Sequence, residues 1–154
     1  MTHHVLGLEL DFLEEMQHIL LTREPKAMIA SFSKVIPNPT AKDLGYEDHL
    51  KLIAVFKQRG IPFHVVDSKE ILEQPKERLK EMCNAVGIPF LESMLNWTAG
   101  GRIEDGLWAK HWYANVHQST SFKKTANPSI IILSEDLKEL AEKSNELYRE
   151  ILNA

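Results

Sequence analysis

Hydrophobic residues along the chain fall into short continuous runs and into longer stretches with helical spacing. The runs "QHILLT" (17–22) and "PFHVVD" (62–67) are short and apolar, which is typical of buried strands. Helical spacing predicts helices in the other segments, namely 25–34, 46–60, 68–75, 75–87, 108–119 and a long C-terminal helix that follows the apolar run "PSIIIL" (128–133). Strands that alternate with helices in this way predict a parallel α/β sheet.

The length of the chain limits how many domains and strands it can contain. At 154 residues there is room for one domain with its own core, so we treat 1–154 as a single domain. Two strands are fewer than a parallel sheet covered on both faces usually contains, so we expect the chain to be part of a larger fold. An uncovered central strand would expose unpaired backbone groups and favour a homodimer. The alternative is that the first helices or "PSIIIL" cover the gap and leave a monomer.

The composition excludes several classes of protein. It is 44% apolar and 26% charged, as in soluble globular proteins. No apolar run could span a bilayer, and the N-terminus "MTHHVLGLEL" lacks the features of a signal peptide, so we expect no membrane partner. The single cysteine, Cys83, cannot form an internal disulfide, which favours a cytoplasmic location. The net charge of -4 argues against general nucleic-acid binding but is compatible with a local anion site.

Arg23 and Ser31 are the first candidates for chemistry. Arg23 follows the first predicted strand directly, at the carboxyl edge where open α/β sheets bind their ligands. Ser31 lies eight residues further on, about two turns into the next helix. A guanidinium and a hydroxyl are suitable groups for binding a phosphate. The spacing alone also fits an arginine paired with a surface acid and an ordinary helical serine.

The stretch "ILLTREPKAMIAS" (19–31) resembles the second nucleotide-binding motif of sulfotransferases. In that family a strand ends in arginine, an acidic or polar residue and proline, and a serine follows eight residues after the arginine. The resemblance implies that Arg23 and Ser31 hold the 3′-phosphate of the sulfonate donor, 3′-phosphoadenosine 5′-phosphosulfate. It also implies a three-layer parallel α/β fold of the P-loop nucleoside triphosphate hydrolase class.

Two further stretches resemble the same family. The segment "HVVDSKEILEQPKERLKEMCNAVGIPF" resembles its strand, acidic helix, proline and second helix, and "MLNWTAGGRIEDGLWAKHWYANVHQSTSF" resembles the C-terminal segment of bacterial sulfotransferase-like proteins. The family often closes its nucleotide site with a loop of arginine and glycine, so Arg102 is a third candidate for the phosphate. The alternative is that "GGRIEDG" is a solvated turn in which Asp105 caps a helix.

The residues "THH" at positions 2–4 resemble the Lys-Thr-His sequence in which the family carries its catalytic base. The resemblance implies that His3 is the base for the acceptor, with His4 as the second choice. An inert chain terminus explains the same residues. The histidine pairs do not have the i, i+4 spacing of a helical zinc site, so we expect no metal.

One departure from the family affects function. The family's glycine loop, with a lysine for the phosphosulfate, has no counterpart, and Met1 stands where the lysine precedes Thr-His. We therefore expect an N-terminally incomplete sulfotransferase-like chain that is inactive alone and whose acceptor, a hydroxyl or an amine, is unknown. The alternative is a non-catalytic adenine-nucleotide-binding or protein-interaction module. The absent Walker lysine argues against a P-loop kinase relative.

Overall fold

The computed structural model describes residues 9–107, 109, 113–123 and 133–154. Its strands are β1 (His18–Thr22) and β2 (Phe63–Asp67). The helices are α1 (Pro25–Phe32), α2 (Ala41–Leu44), α3 (Tyr46–Arg59), α4 (Ser68–Glu73), α5 (Pro75–Ala85), α6 (Ala114–His117) and α7 (Glu135–Leu152). Short 3₁₀ turns occupy Asp11–Glu15, Glu92–Leu95 and Ile103–Asp105.

The two strands form a parallel sheet, as the alternation of strands and helices predicts. The register pairs His18 with Phe63 at one end and Thr22 with Asp67 at the other. The carboxyl ends of both strands therefore meet at one edge, where ligands of open α/β sheets bind. A small parallel sheet in an α/β fold is confirmed, and the three-layer sheet stays a prediction.

Helix α1 follows β1 after only two residues, because local sequence favours a helix start there. Pro25 occupies the first helical position, where its missing N–H is not needed, and the Glu24 carboxylate accepts hydrogen bonds from the next backbone amides. The predicted helix extended to residue 34, but α1 ends at Phe32. The Ser33 hydroxyl donates to the Ile29 carbonyl at 2.9 Å, and this side-chain bond accompanies the end of the helix.

The described residues form two compact units. The first comprises 9–69 with 133–154, and its core contains Ile29 from α1, Phe56 from α3 and Ile151 from α7, each at most 1% exposed. Aromatic rings join this core to the sheet, since the Phe56 centroid lies 4.4 Å from that of His18. Helix α7 packs against α1, α3 and β2, so the C-terminal helix completes the unit that carries the first strand.

The second unit comprises 70–107, 109 and 113–123. Helix α5 buries Cys83, which lies 3.9 Å from the Met94 sulfur, as expected of a small apolar residue on the inner face of a helix. The loop that follows is closed by Trp97, whose ring meets that of Phe122 edge-on at 5.2 Å. The sequence predicts a helix over 108–119 in this unit. Within that range α6 (Ala114–His117) is helical, and residues 108 and 110–112 lie outside the described part of the chain.

Candidate functional site

An exposed cation, Arg23, lies at the carboxyl edge of the sheet. Arg23 follows Thr22, the last residue of β1, and its side chain is exposed. Within the part of the chain that the structure describes, no ion pair or side-chain hydrogen bond involves its guanidinium. The described residues therefore do not support the alternative interpretation, in which Arg23 is paired with a surface acid. A guanidinium in this state can make bidentate hydrogen bonds to an anion.

The neighbouring acid does not neutralise this arginine through an ion pair. The two carboxylate oxygens of Glu24 accept hydrogen bonds from the backbone amides of Lys26 and Ala27 at 3.1 and 2.8 Å. Glu24 therefore acts as the cap of α1, where a negative charge is also stabilised by the helix dipole. Because the Glu24 carboxylate is bonded to backbone amides of α1, the guanidinium of Arg23 remains available to another partner.

Ser31 is the seventh of the eight residues of α1 and is partly exposed. It lies about 9 Å along the helix axis from Pro25 and about 200° around the axis from the fully buried Ile29, so it is on the outer side of the helix. Its hydroxyl makes no hydrogen bond to a described residue, whereas the Ser33 hydroxyl is bonded to the Ile29 carbonyl. Of these two serines, Ser31 is the one whose hydroxyl is open to a ligand.

The backbone beneath Arg23 is fixed by a residue that the sequence analysis did not assign. The phenol of Tyr46 donates a hydrogen bond to the Arg23 carbonyl at 2.6 Å, and Tyr46 is 2% exposed. Burial raises the pKa of this phenol well above its usual value, and the nearby Glu24 raises it further. The sequence signal for this contact is limited to a tyrosine at the first position of a helix, directly after Gly45.

A buried carboxylate lies at the same edge of the sheet. Asp67 ends β2 opposite Thr22 and is 7% exposed. One oxygen accepts a hydrogen bond from the Lys69 amide at 2.8 Å, and the other accepts one from the Tyr148 phenol. The hydroxyl oxygen of Thr22 is buried and has no hydrogen-bond partner among the described residues. The carboxyl edge of the sheet thus contains buried polar groups, and the Asp67 carboxylate accepts hydrogen bonds from protein donors.

Arg102 belongs to the second unit and is exposed. Its backbone amide donates to Asp105 at 2.8 Å, and the same carboxylate oxygen lies 2.8 Å from Nε2 of His117. These two hydrogen bonds, the backbone one first, lower the pKa of Asp105. Asp105 therefore organises the glycine-rich turn by bonding back to Arg102 and to His117. Among the described residues no ion pair involves the guanidinium of Arg102, although its positive charge also contributes to lowering the pKa of Asp105.

Two of the predicted site residues, His3 and His4, lie outside the described residues. Among the described residues His117, which the sequence analysis did not assign, contacts a carboxylate. Among the described residues, no group of three histidine, cysteine, aspartate or glutamate side chains is arranged to hold a metal ion. In the same part of the chain, no helix has the length and apolar character that crossing a membrane requires.

Comparisons with known proteins identify the family. Residues 1–148 match the family model described as "Sulfotransferase domain", so the chain belongs to the sulfotransferase domain family. The resemblance seen in the motifs is thereby confirmed. Two curated proteins of Arabidopsis thaliana, the branched-chain-amino-acid aminotransferase-like proteins 2 and 1, are 36% and 37% identical over 118 residues. That match covers 77% of this chain and 21% of each relative, so the chain spans about a fifth of their length.

A solved structure has a similar fold. The sulfotransferase domain from the Synechococcus PCC 7002 olefin synthase aligns with a TM-score of 0.56 and 21% sequence identity. The alignment covers 84% of this chain and 49% of that one. The α/β fold of this chain is therefore that of a sulfotransferase domain.

Proposed function

We propose that this chain binds the 3′-phosphoadenosine part of 3′-phosphoadenosine 5′-phosphosulfate, the donor of a sulfotransferase-like reaction. Arg23 and Ser31 contact the 3′-phosphate, and Arg102, in the second unit, is a separate candidate for binding a phosphate. The observation that carries this proposal is the exposed guanidinium of Arg23 at the carboxyl edge of the sheet, without a partner among the described residues. An exposed cation without a partner among the described residues is suited to binding a phosphate dianion.

The reaction that this donor serves has defined chemical needs. The oxygen or nitrogen of the acceptor attacks sulfur, the bridge from sulfur to the 5′-phosphate oxygen breaks, and adenosine 3′,5′-bisphosphate leaves with the electron pair. A base takes the acceptor's proton, and we assign that role to His3, with His4 as the second choice. The remaining features that we propose are the three-layer P-loop sheet, a cytoplasmic location and a homodimer.

We further propose that the 154 residues do not transfer sulfonate alone. None of the 7 glycines is followed by lysine, so the sequence lacks the loop that would stabilise the leaving phosphate. The same observation favours the second candidate function, a module that binds an adenine nucleotide or a protein partner without catalysis. The two candidates share the nucleotide site and differ in turnover.

The proposal is tested by titration calorimetry with adenosine 3′,5′-bisphosphate and with adenosine 5′-monophosphate, which lacks only the 3′-phosphate. A charge-assisted contact of this kind predicts that the bisphosphate binds at least about tenfold more tightly. Equal affinity for the two nucleotides would contradict the site. A transfer assay with labelled donor and a panel of alcohols and amines should show no turnover, and steady turnover would contradict the inactivity of the chain.

A further inference from the structure

The hydrogen bond from Tyr46 to the Arg23 carbonyl connects the start of α3 to the point where the chain leaves β1. It spans 23 positions of sequence and is 2.6 Å long. Tyr46 is almost completely buried, so its phenol depends on a protein acceptor rather than on water. The backbone of Arg23 is thus anchored, while its guanidinium has no partner among the described residues.

The position of Tyr46 is itself held from two sides. Gly45, at a φ of 73°, ends α2 and precedes α3 directly, a conformation that favours glycine. The ring of Tyr46 then meets the ring of Tyr148 edge-on, with centroids 6.4 Å apart. The phenol is a protonated donor at neutral pH, and burial raises its pKa further. Tyr46 is therefore a rigid support rather than a mobile surface group.

We propose that Tyr46 is a positioning residue for the 3′-phosphate, acting through the backbone of Arg23. The inference rests on the proposed function and adds a residue that touches no ligand. An arginine side chain loses rotamer freedom when it binds an anion. If the backbone of that arginine is already fixed, binding has fewer further degrees of freedom to order, and its entropy cost is lower. Without the phenol, the Arg23 carbonyl loses its donor and the start of the side chain can shift relative to the site.

The test combines Tyr46→Phe with Arg23→Ala and measures affinity for the same two nucleotides. We expect Tyr46→Phe to weaken binding of adenosine 3′,5′-bisphosphate by about two- to tenfold, as the loss of one hydrogen bond allows. Affinity for adenosine 5′-monophosphate should be unchanged. In the Arg23→Ala background the second substitution should have no further effect, because Tyr46 acts through that arginine. A merely structural role would weaken both nucleotides and would add to the effect of Arg23→Ala.

Tyr148→Phe is the matched control. It also removes one buried phenol from the same ring pair, but that phenol is bonded to Asp67 and not to Arg23. The control should keep the wild-type ratio of the two affinities, and urea unfolding verifies that each variant is folded. If Tyr46→Phe binds the bisphosphate as wild type does, or loses both nucleotides equally, the inference fails and the proposed function stands. If wild type does not discriminate between the nucleotides, both fail.

Discussion

The phenol of Tyr148 donates a hydrogen bond to the buried carboxylate of Asp67, 81 residues away in the chain. The contact connects the C-terminal helix to the carboxyl end of β2, inside the unit that also carries Arg23. A buried carboxylate is stable only when its oxygens have donors, and the Lys69 amide supplies the other one. The C-terminal helix therefore contributes to the stability of this unit through the Asp67 carboxylate.

Tyr148→Phe should consequently destabilise the protein. It leaves one oxygen of a buried carboxylate without its donor, which typically costs about 1–3 kcal/mol. Urea unfolding measures the loss. Tyr113→Phe is the control, because Tyr113 is exposed and its phenol makes no hydrogen bond to a described residue. Equal stability of the two variants would show that the contact with Asp67 contributes nothing.

His49 should make the stability of the fold sensitive to acid. It is 6% exposed, its Nε2 has no hydrogen-bond partner among the described residues, and burial lowers its pKa from the ordinary 6.5. Below pH 6.5 His49 therefore binds a proton in the unfolded chain but not in the folded protein. The stability that comes from keeping His49 neutral is present above pH 6.5 and is lost as the pH falls through the folded pKa.

The measurement is the free energy of unfolding of wild type and His49→Leu as a function of pH. The difference between the two proteins should change by up to about 1.4 kcal/mol per pH unit below pH 6.5, with wild type losing more stability on acidification. Carboxylates titrate in both proteins and cancel in this difference. Parallel pH curves would mean that His49 is not kept neutral by the fold.

Leu21 should contribute to self-association. It lies in β1, is 57% exposed, and the strand pairs only with β2 in the part of the chain that the structure describes. An apolar strand with a free edge favours pairing with a second copy. We expect sedimentation equilibrium to show a concentration-dependent dimer that Leu21→Lys weakens. A wild-type chain that stays monomeric at every concentration would contradict this and would favour the alternative in which the first helices or "PSIIIL" cover the gap.

Local structure was largely predictable from the sequence. The strand prediction 62–67 and the helix prediction 46–60 each differ from the observed elements by one residue, because hydrophobic period and the terminal Gly60 are local signals. The helix prediction 25–34 was too long by two residues. At its observed end the Ser33 hydroxyl bonds to the Ile29 carbonyl, a contact that depends on the serine rotamer and not on the pattern of apolar residues.

The supporting contacts of the site could not be predicted in the same way. Arg23 and Ser31 are proposed from their resemblance to a family motif, but the phenol beneath Arg23 comes from Tyr46 and depends on how α3 packs against β1. The contact of Asp105 with His117 likewise requires a turn to fold back on a helix. Such contacts join residues that no short spacing connects, so they appear only once the topology is known.

The most direct test of the account is the affinity of Arg23→Ala for adenosine 3′,5′-bisphosphate, measured by titration calorimetry. The matched control is Lys57→Ala, which removes one exposed positive charge about 17 Å along α3 from Tyr46, the residue that contacts Arg23. We predict that Arg23→Ala weakens binding by about tenfold or more and that Lys57→Ala leaves it unchanged. Equal affinity of wild type and Arg23→Ala would contradict the assignment of the 3′-phosphate site.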